Sequence, residues 1–336
     1  MFVSFFPQLV AGPIERSKNL LTQLSKPTNF NVQNVRCGLF TMAYGLFLKM
    51  VVADRIAMTI NPILSNCVNM HGMVILMCII LFSFQIYCDF HGYTQIAIGA
   101  AQILGYHLQE NFNAPYFSGS VKEFWRNWHI SLTSWFTDYI YIPLGGNRKG
   151  KFRTYINTMI VFLVSGVWHG ADWNYILWGG VNGAYIVTSD LTKNIRTRIS
   201  AVFKIDKNAF GWKIFSRIIT FFLIVYTWGF FRADGIYHAF TMQKMVLKDF
   251  KLQYIFSNNF LKSFGEQSEL LILLIVLLIV TCIDYWQYKN IDWKQKILSQ
   301  QIVFRWIIYG ILLFLILAFG VYGEGNEQTK FIYFQF

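Results

Sequence analysis

Charge is scarce in this chain. Only 14% of its 336 residues are Asp, Glu, Lys or Arg, whereas 55% are hydrophobic and 18% aromatic. Soluble globular proteins carry roughly 25% charge, and the mean hydropathy of +0.40 leans the same way. A water-soluble globule is therefore excluded and a membrane-embedded chain expected. Proline is also rare, at 6 residues, and no stretch is compositionally biased, which excludes a disordered or fibrous protein. The five cysteines, Cys37, Cys67, Cys78, Cys88 and Cys282, form no CxxC pair and mostly stand in apolar surroundings. They read as small hydrophobes, with no disulfide framework implied. The six histidines show neither HxxxH nor HExxH spacing, so no metal site is expected.

What the chain does have is a net charge of +12. Nucleic-acid binding would need the basic residues gathered on one surface. Here they fall mostly between apolar segments, as membrane topology requires, and no nucleic-acid partner is expected. Six or seven stretches are long enough to cross a bilayer core of roughly 30 Å as helices: 35–60, 72–104, 155–169, 174–189, 214–231, 270–286 and 302–322. The pair between 155 and 189 is short and shares the hairpin Gly170-Ala171-Asp172-Trp173, so a broken or re-entrant element lining a protein-enclosed cavity is the alternative there. With alternating spans, the connections 16–36, 105–153, 190–217 and 287–305 hold 21 of the 29 Lys and Arg, and the opposite connections hold six. That asymmetry places the first set in the cytoplasm and the C-terminus outside. The long 232–268 connection, with its Asn/Lys-rich stretch, suits a surface helix. The expected fold is all-α, a polytopic helix bundle with interfacial helices around a tunnel, forming one membrane-embedded domain over 1–336.

Two stretches carry chemistry. Between Glu110 and Arg153 the chain packs Trp125, Trp128, Trp135, Tyr139 and Tyr141 among Arg126, His129 and Asp138. Read as a single helix, Phe124, Trp128 and Ser131 or Leu132 share one face and Arg126, His129 and Thr133 another, an amphipathic element for the bilayer surface. The competing structural reading is an interfacial anchor with snorkelling Arg and Trp. The basic turn that follows, from Tyr141 to Gly150, formally spells GxxxxGK over Gly145–Lys151. Phe152 replaces the magnesium-binding hydroxyl residue and no buried strand precedes the turn, so the match is a coincidence of spelling. The basic turn, with Arg148, could still meet the phosphates of a nucleotide-bearing donor.

The second stretch is Val164-Ser165-Gly166-Val167-Trp168-His169-Gly170. An ionisable residue at membrane depth is costly and is a functional candidate by default. A neutral imidazole, titrating near pH 6.5, can take a proton from a hydroxyl and return it. The plain alternative is a hydrogen-bonded histidine in a polar helix contact. Gly166 and Gly170 permit close approach of backbone or ligand and favour the functional reading. Ser165 and His169, at i and i+4, could form a nucleophilic pair, although serine there more often bonds backbone or a neighbouring helix. Asp89 beside His91 could be a proton path or, preferably, a buried polar pair. Gly179, Gly180 and Gly183 suit helix packing.

Four ordered motifs resemble the membrane-bound O-acyltransferase family, and within it the bacterial alginate O-acetylase branch. They are Phe-Phe-Pro-Gln-Leu-Val-Ala-Gly-Pro-Ile at 5–14, Phe-Trp-Arg-Asn-Trp-His-Ile-Ser-Leu at 124–132, Asp-Tyr-Ile-Tyr-Ile-Pro-Leu-Gly-Gly-Asn-Arg at 138–148, and Trp-His-Gly at 168–170. The last residues, 331–336, also resemble that branch. In the family the first motif lies well inside the chain, after several spans. Here it begins at Phe5, with no basic n-region of a cleavable signal peptide before it, so the expectation is that N-terminal spans of a longer protein precede it.

The resemblance implies acyl transfer from a thioester to a hydroxyl, with His169 as catalytic base and His129 positioning the donor or stabilising the thioester oxygen. Trp125, Arg126, Asn127, Trp128, Trp168, Asn174 and Arg148 are the accompanying donor-binding or tunnel candidates. No bound cofactor is implied; acetyl-CoA or another acyl thioester would be a substrate. The acceptor would be an exported cell-envelope or secreted polysaccharide, reached with an extracytoplasmic partner acetyltransferase, from a chain set among lipids in the inner membrane. The alternatives are D-alanyl transfer to teichoic acid, a transporter whose His and Asp line a path, or an inactive scaffold. No internal repeat supports the transporter.

Overall fold

In a computed structural model of the chain, residues 2, 4–9 and 12–322 are described. Val10 and Ala11 of the first motif and the 331–336 terminus lie outside the described residues. The elements are helices and turns throughout, with no β-strand among the described residues. Five helices there are long and apolar enough to cross a membrane: Val32–Ser65, Gly72–Ile103, Phe210–Arg232, Gln267–Tyr288 and Ile302–Phe319. The protein is thus all-α and polytopic. Lys151–His169 and Trp173–Leu191 form a hairpin of two 19-residue helices. Each is about 28 Å long at 1.5 Å per residue, but both carry too many polar residues to join those five.

The described residues form two compact units. One comprises the described residues of 1–66, 73–113 and 251–336, the other 67–72 and 114–250.

In the first unit the Val32–Ser65 and Gly72–Ile103 helices cross in backbone contact. A Cβ added to Gly45 would stand 2.5 Å from the Gly92 carbonyl oxygen, a distance no side chain tolerates. Midway, residues Phe47–Ala53 widen into a π-helical turn. At that turn Lys49 Nζ reaches Asp54 Oδ1 at 2.8 Å and Asp89 Oδ1 at 2.6 Å, with both carboxylates buried. Arg55 pairs with Glu269 and donates to the Phe319 carbonyl at 2.7 Å, which ties the same helix to two further spans. The expected Asp89–His91 pair does not form. Residues two apart on a helix face different sides, so Asp89 goes to Lys49. His91 Nδ1 lies 3.0 Å from the Tyr87 hydroxyl, which donates to Asp284 Oδ1 at 2.8 Å.

The second unit is built on the hairpin and the Phe210–Arg232 helix. The hairpin closes tightly because a Cβ on Gly166 would lie 2.5 Å from the Tyr175 carbonyl oxygen and one on Gly179 2.3 Å from that of Phe162. Gly166 therefore serves helix packing, and the space beside Gly170 is taken by the Tyr175 ring. Trp178 stacks on Trp228, with centroids 5.9 Å apart and planes at 22°, and Trp228 meets Trp128 at 5.0 Å. The surface helix expected in the 232–268 connection is Ile236–Lys248. It buries Ala239, Met242, Gln243 and Val246, one stripe at helical spacing.

Candidate active site

The segment 118–136 brings the first histidine inward. Ser120 opens the Val121–Asn127 helix, its Oγ accepting from the Glu123 amide at 3.2 Å, while the Glu123 carboxylate accepts from the Gly119 amide at 2.8 Å. These two bonds satisfy donors that a helix start leaves open. The helix then ends. Trp128 is extended, His129 takes the left-handed conformation at φ +45°, and a second short helix runs Ile130–Phe136. The continuous amphipathic helix expected from the periodicity is thus two helices with a break between them. Left-handed backbone costs a side-chain-bearing residue about 1–2 kcal/mol. The break turns the His129 ring inward to 5% exposure, and Trp128 is buried at 3% rather than lying in a surface anchor.

The second histidine ends the Lys151–His169 helix and is also buried. Its ring is held edge-on by three aromatics: Trp168 at 4.8 Å, Trp178 at 5.1 Å and Phe231 at 5.1 Å. The Trp168 indole also lies 6.4 Å from the His129 ring. Both imidazoles line one cavity of about 290 Å³ within the second unit, together with Trp125, Arg126, Trp128 and Ser165. Burial pushes the His129 imidazole well below its ordinary pKa, and the neighbouring His169 acts in the same direction. His129 is accordingly neutral, with one N–H to donate and one lone pair to accept.

The remaining candidates divide. Trp125 lines the cavity, but its indole N–H is committed to Asn182 Oδ1 at 3.3 Å. Arg126 and Trp128 line it as well. Asn127, Trp168, Asn174 and Arg148 do not. Asn127 donates to Ser118 Oγ at 3.2 Å. Trp168 reaches both histidine rings from a half-exposed position. Asn174 donates to the carbonyls of Phe230 and Ala233, at 3.3 and 2.9 Å, and so satisfies the open C-terminal end of the Phe210–Arg232 helix. Arg148 is exposed in the basic turn, which is held from below by Asn157 donating to the Leu144 and Gly146 carbonyls. The element before that turn is the π-helical Thr137–Tyr141, so no strand leads into the GxxxxGK spelling.

Sequence reasoning missed a stripe along the hairpin's first helix. Thr154, Thr158, Val161, Ser165 and His169 all face the cavity. Their spacing of four, three, four and four was a readable helical signal. Chemically the site offers a proton acceptor, a hydrogen-bond donor and apolar walls that keep both out of bulk water.

A family model described as MBOAT, membrane-bound O-acyltransferase family, matches residues 1–232. The chain belongs to the membrane-bound O-acyltransferase family. Among curated members of this family, the peptidoglycan O-acetyltransferase of Helicobacter pylori is 36% identical over 246 residues, which is 73% of this chain and 45% of that protein. A probable alginate O-acetylase of Pseudomonas aeruginosa is 36% identical over 245 residues, 72% of this chain and 44% of that protein. The teichoic acid D-alanyltransferase of Bacillus subtilis is 30% identical over 196 residues, 53% of this chain and 47% of that protein. The chain thus spans less than half the length of each of these membrane-bound O-acyltransferase relatives.

Proposed function

We propose that this multi-pass membrane protein is an O-acyltransferase in which His169 is the general base. The observation that carries the reading is the pair of buried imidazoles, His169 and His129, on one small aromatic-walled cavity. His169 takes the proton from an acceptor hydroxyl as its oxygen attacks the acyl carbon of a thioester. A C–O bond forms, the C–S bond breaks, and the proton passes from His169 to the departing thiolate. General-base assistance of this kind supplies about 10²–10⁴-fold. His129, neutral and buried, donates its N–H to the oxyanion that develops on the acyl oxygen. Trp125 and Trp128 shape the walls, and Arg126 stands at the cavity as a cation for a donor's phosphates.

In the fuller reading, an acetyl group from acetyl-CoA or another cytoplasmic thioester goes to hydroxyls of an exported envelope polysaccharide. The protein would sit in the inner membrane and work with an extracytoplasmic partner acetyltransferase. Support for acetyl transfer comes from the relatives named for peptidoglycan and alginate O-acetylation, at 36% identity over 73% and 72% of the chain. D-alanyl transfer to teichoic acid is the second reading, favoured by the 30% match over 53% of the chain.

The test is the O-acetyl ester content of envelope polysaccharide fractions from the native host, wild type against a chromosomal His169→Ala substitution at equal membrane abundance. Loss of ester from one fraction is expected and names the acceptor. Unchanged ester in every fraction would remove His169 from the chemistry.

A further inference from the structure

In the first unit the Val32–Ser65 and Ile302–Phe319 helices frame a groove of about 710 Å³. Both helices begin at the same end of it. At that end stand Arg36 and Arg305; further along, the walls are apolar, formed by Leu39, Ala43, Leu312 and Leu313. Among the described residues no carboxylate lines the groove.

The two guanidinium groups are poorly provided for. Arg36 donates to the Gln33 side chain, and Arg305 reaches only the Leu298 carbonyl, at 3.4 Å. Among the described residues neither has an acidic partner. The Nε atoms of both arginines and the Tyr309 hydroxyl are buried without a hydrogen-bond partner among the described residues. All three side chains line the groove. A buried donor left open costs about 1–3 kcal/mol, and these three belong to side chains that stand along one groove. Tyr309 itself is fixed by ring contacts, 5.8 Å from Phe40 and 6.1 Å from Trp306.

We propose that this groove binds an anionic glycerophospholipid. Its phosphate accepts from Arg36, Arg305 and Tyr309, and its acyl chains lie along Leu39, Ala43, Leu312 and Leu313. Two cations without counter-ions at one end and hydrocarbon walls at the other match an amphiphile with a negative head, and a free phosphate would leave the apolar length unfilled. The distribution of Lys and Arg puts both the 16–36 and the 287–305 connections in the cytoplasm, the side on which anionic lipids concentrate. This inference is independent of the acyl-transfer reading.

The experiment is native mass spectrometry of the full-length protein released from membranes and offered equimolar phosphatidylglycerol and phosphatidylethanolamine of identical acyl chains. Wild type should retain phosphatidylglycerol in preference by at least about fivefold, the contribution expected of one basic residue near an anionic lipid. Arg36→Gln with Arg305→Gln should bring the two lipids to equal retention. If the double variant does not fold, Arg305→Gln alone should at least halve the preference, and Tyr309→Phe should lower it. Equal retention of both lipids by wild type would overturn the proposal. So would retention of neither, the result for a groove filled by another helix, or an unchanged preference in folded arginine variants.

Discussion

The imidazole of His169 stands edge-on to the indole of Trp178, ring centroids 5.1 Å apart and planes at 89°. Trp178 is almost fully buried and stacks in turn on Trp228, so the ring that orients the proposed base is anchored in the tryptophan core. Trp178→Ala should cost about 3–5 kcal/mol through the cavity it leaves. Trp178→Phe should keep most of that stability while loosening the wall against which His169 rests. Thermal unfolding of the detergent-solubilised protein, with transfer activity measured on the folded fraction, separates these two effects.

His129 is the second case in which backbone and side chain are bound together. At φ +45° the position tolerates Asn, which enters the left-handed region readily, far better than a β-branched residue. His129→Asn should accumulate in membranes near wild-type levels, and His129→Val should not. Both should lose acyl transfer, because neither returns the imidazole. Quantitative immunoblotting alongside an activity assay reads both outcomes.

The same residue gives stability a pH dependence with a definite sign. Burial holds the folded imidazole well below its ordinary pKa, while in the unfolded chain it takes up a proton below about pH 6.5. The unfolded state then binds more protons, so this residue's contribution to stability is retained above about pH 6.5 and lost progressively as pH falls below it. The slope is up to about 1.4 kcal/mol per pH unit for one such group. His129→Gln should flatten the fall in melting temperature between pH 7 and pH 5. An unchanged slope in that variant would count against a neutral, buried His129.

Lys49 holds two buried carboxylates, Asp54 and Asp89, at 2.8 and 2.6 Å. Lys49→Met leaves both without their cation and should cost about 3–5 kcal/mol. Adding Asp54→Asn and Asp89→Asn to Lys49→Met should recover much of the loss, since the uncompensated charges are then gone. Membrane abundance and melting temperature of the single and triple variants test the coupling.

Much of the fold could be read from the sequence because hydropathy acts locally. The expected 72–104, 270–286 and 302–322 spans lie within a few residues of the observed Gly72–Ile103, Gln267–Tyr288 and Ile302–Phe319. The family motifs likewise led to His129 and His169, which the fold brings to one cavity. Other features were hidden because they depend on partners distant in the chain. Asn174 looked like a donor-binding or tunnel residue, but its amide is taken by carbonyls 56 and 59 residues away. The break at Trp128 and His129 was invisible to periodicity, which counts spacing and cannot register one left-handed residue. Lys49 within a span gave no hint of Asp89, which pairs with it only once two glycine-faced helices have met.

The central claim is that His169 moves the proton in transfer from a thioester to a hydroxyl. The most direct measurement is acceptor-dependent release of free thiol from acetyl-CoA by membranes containing the full-length protein, comparing wild type, His169→Gln and Ser165→Ala at equal abundance. Thiol release should fall by about 10²-fold or more in His169→Gln and persist in Ser165→Ala. Undiminished release by His169→Gln would contradict the assignment of the base, and loss in Ser165→Ala alone would move the chemistry to an acyl-serine.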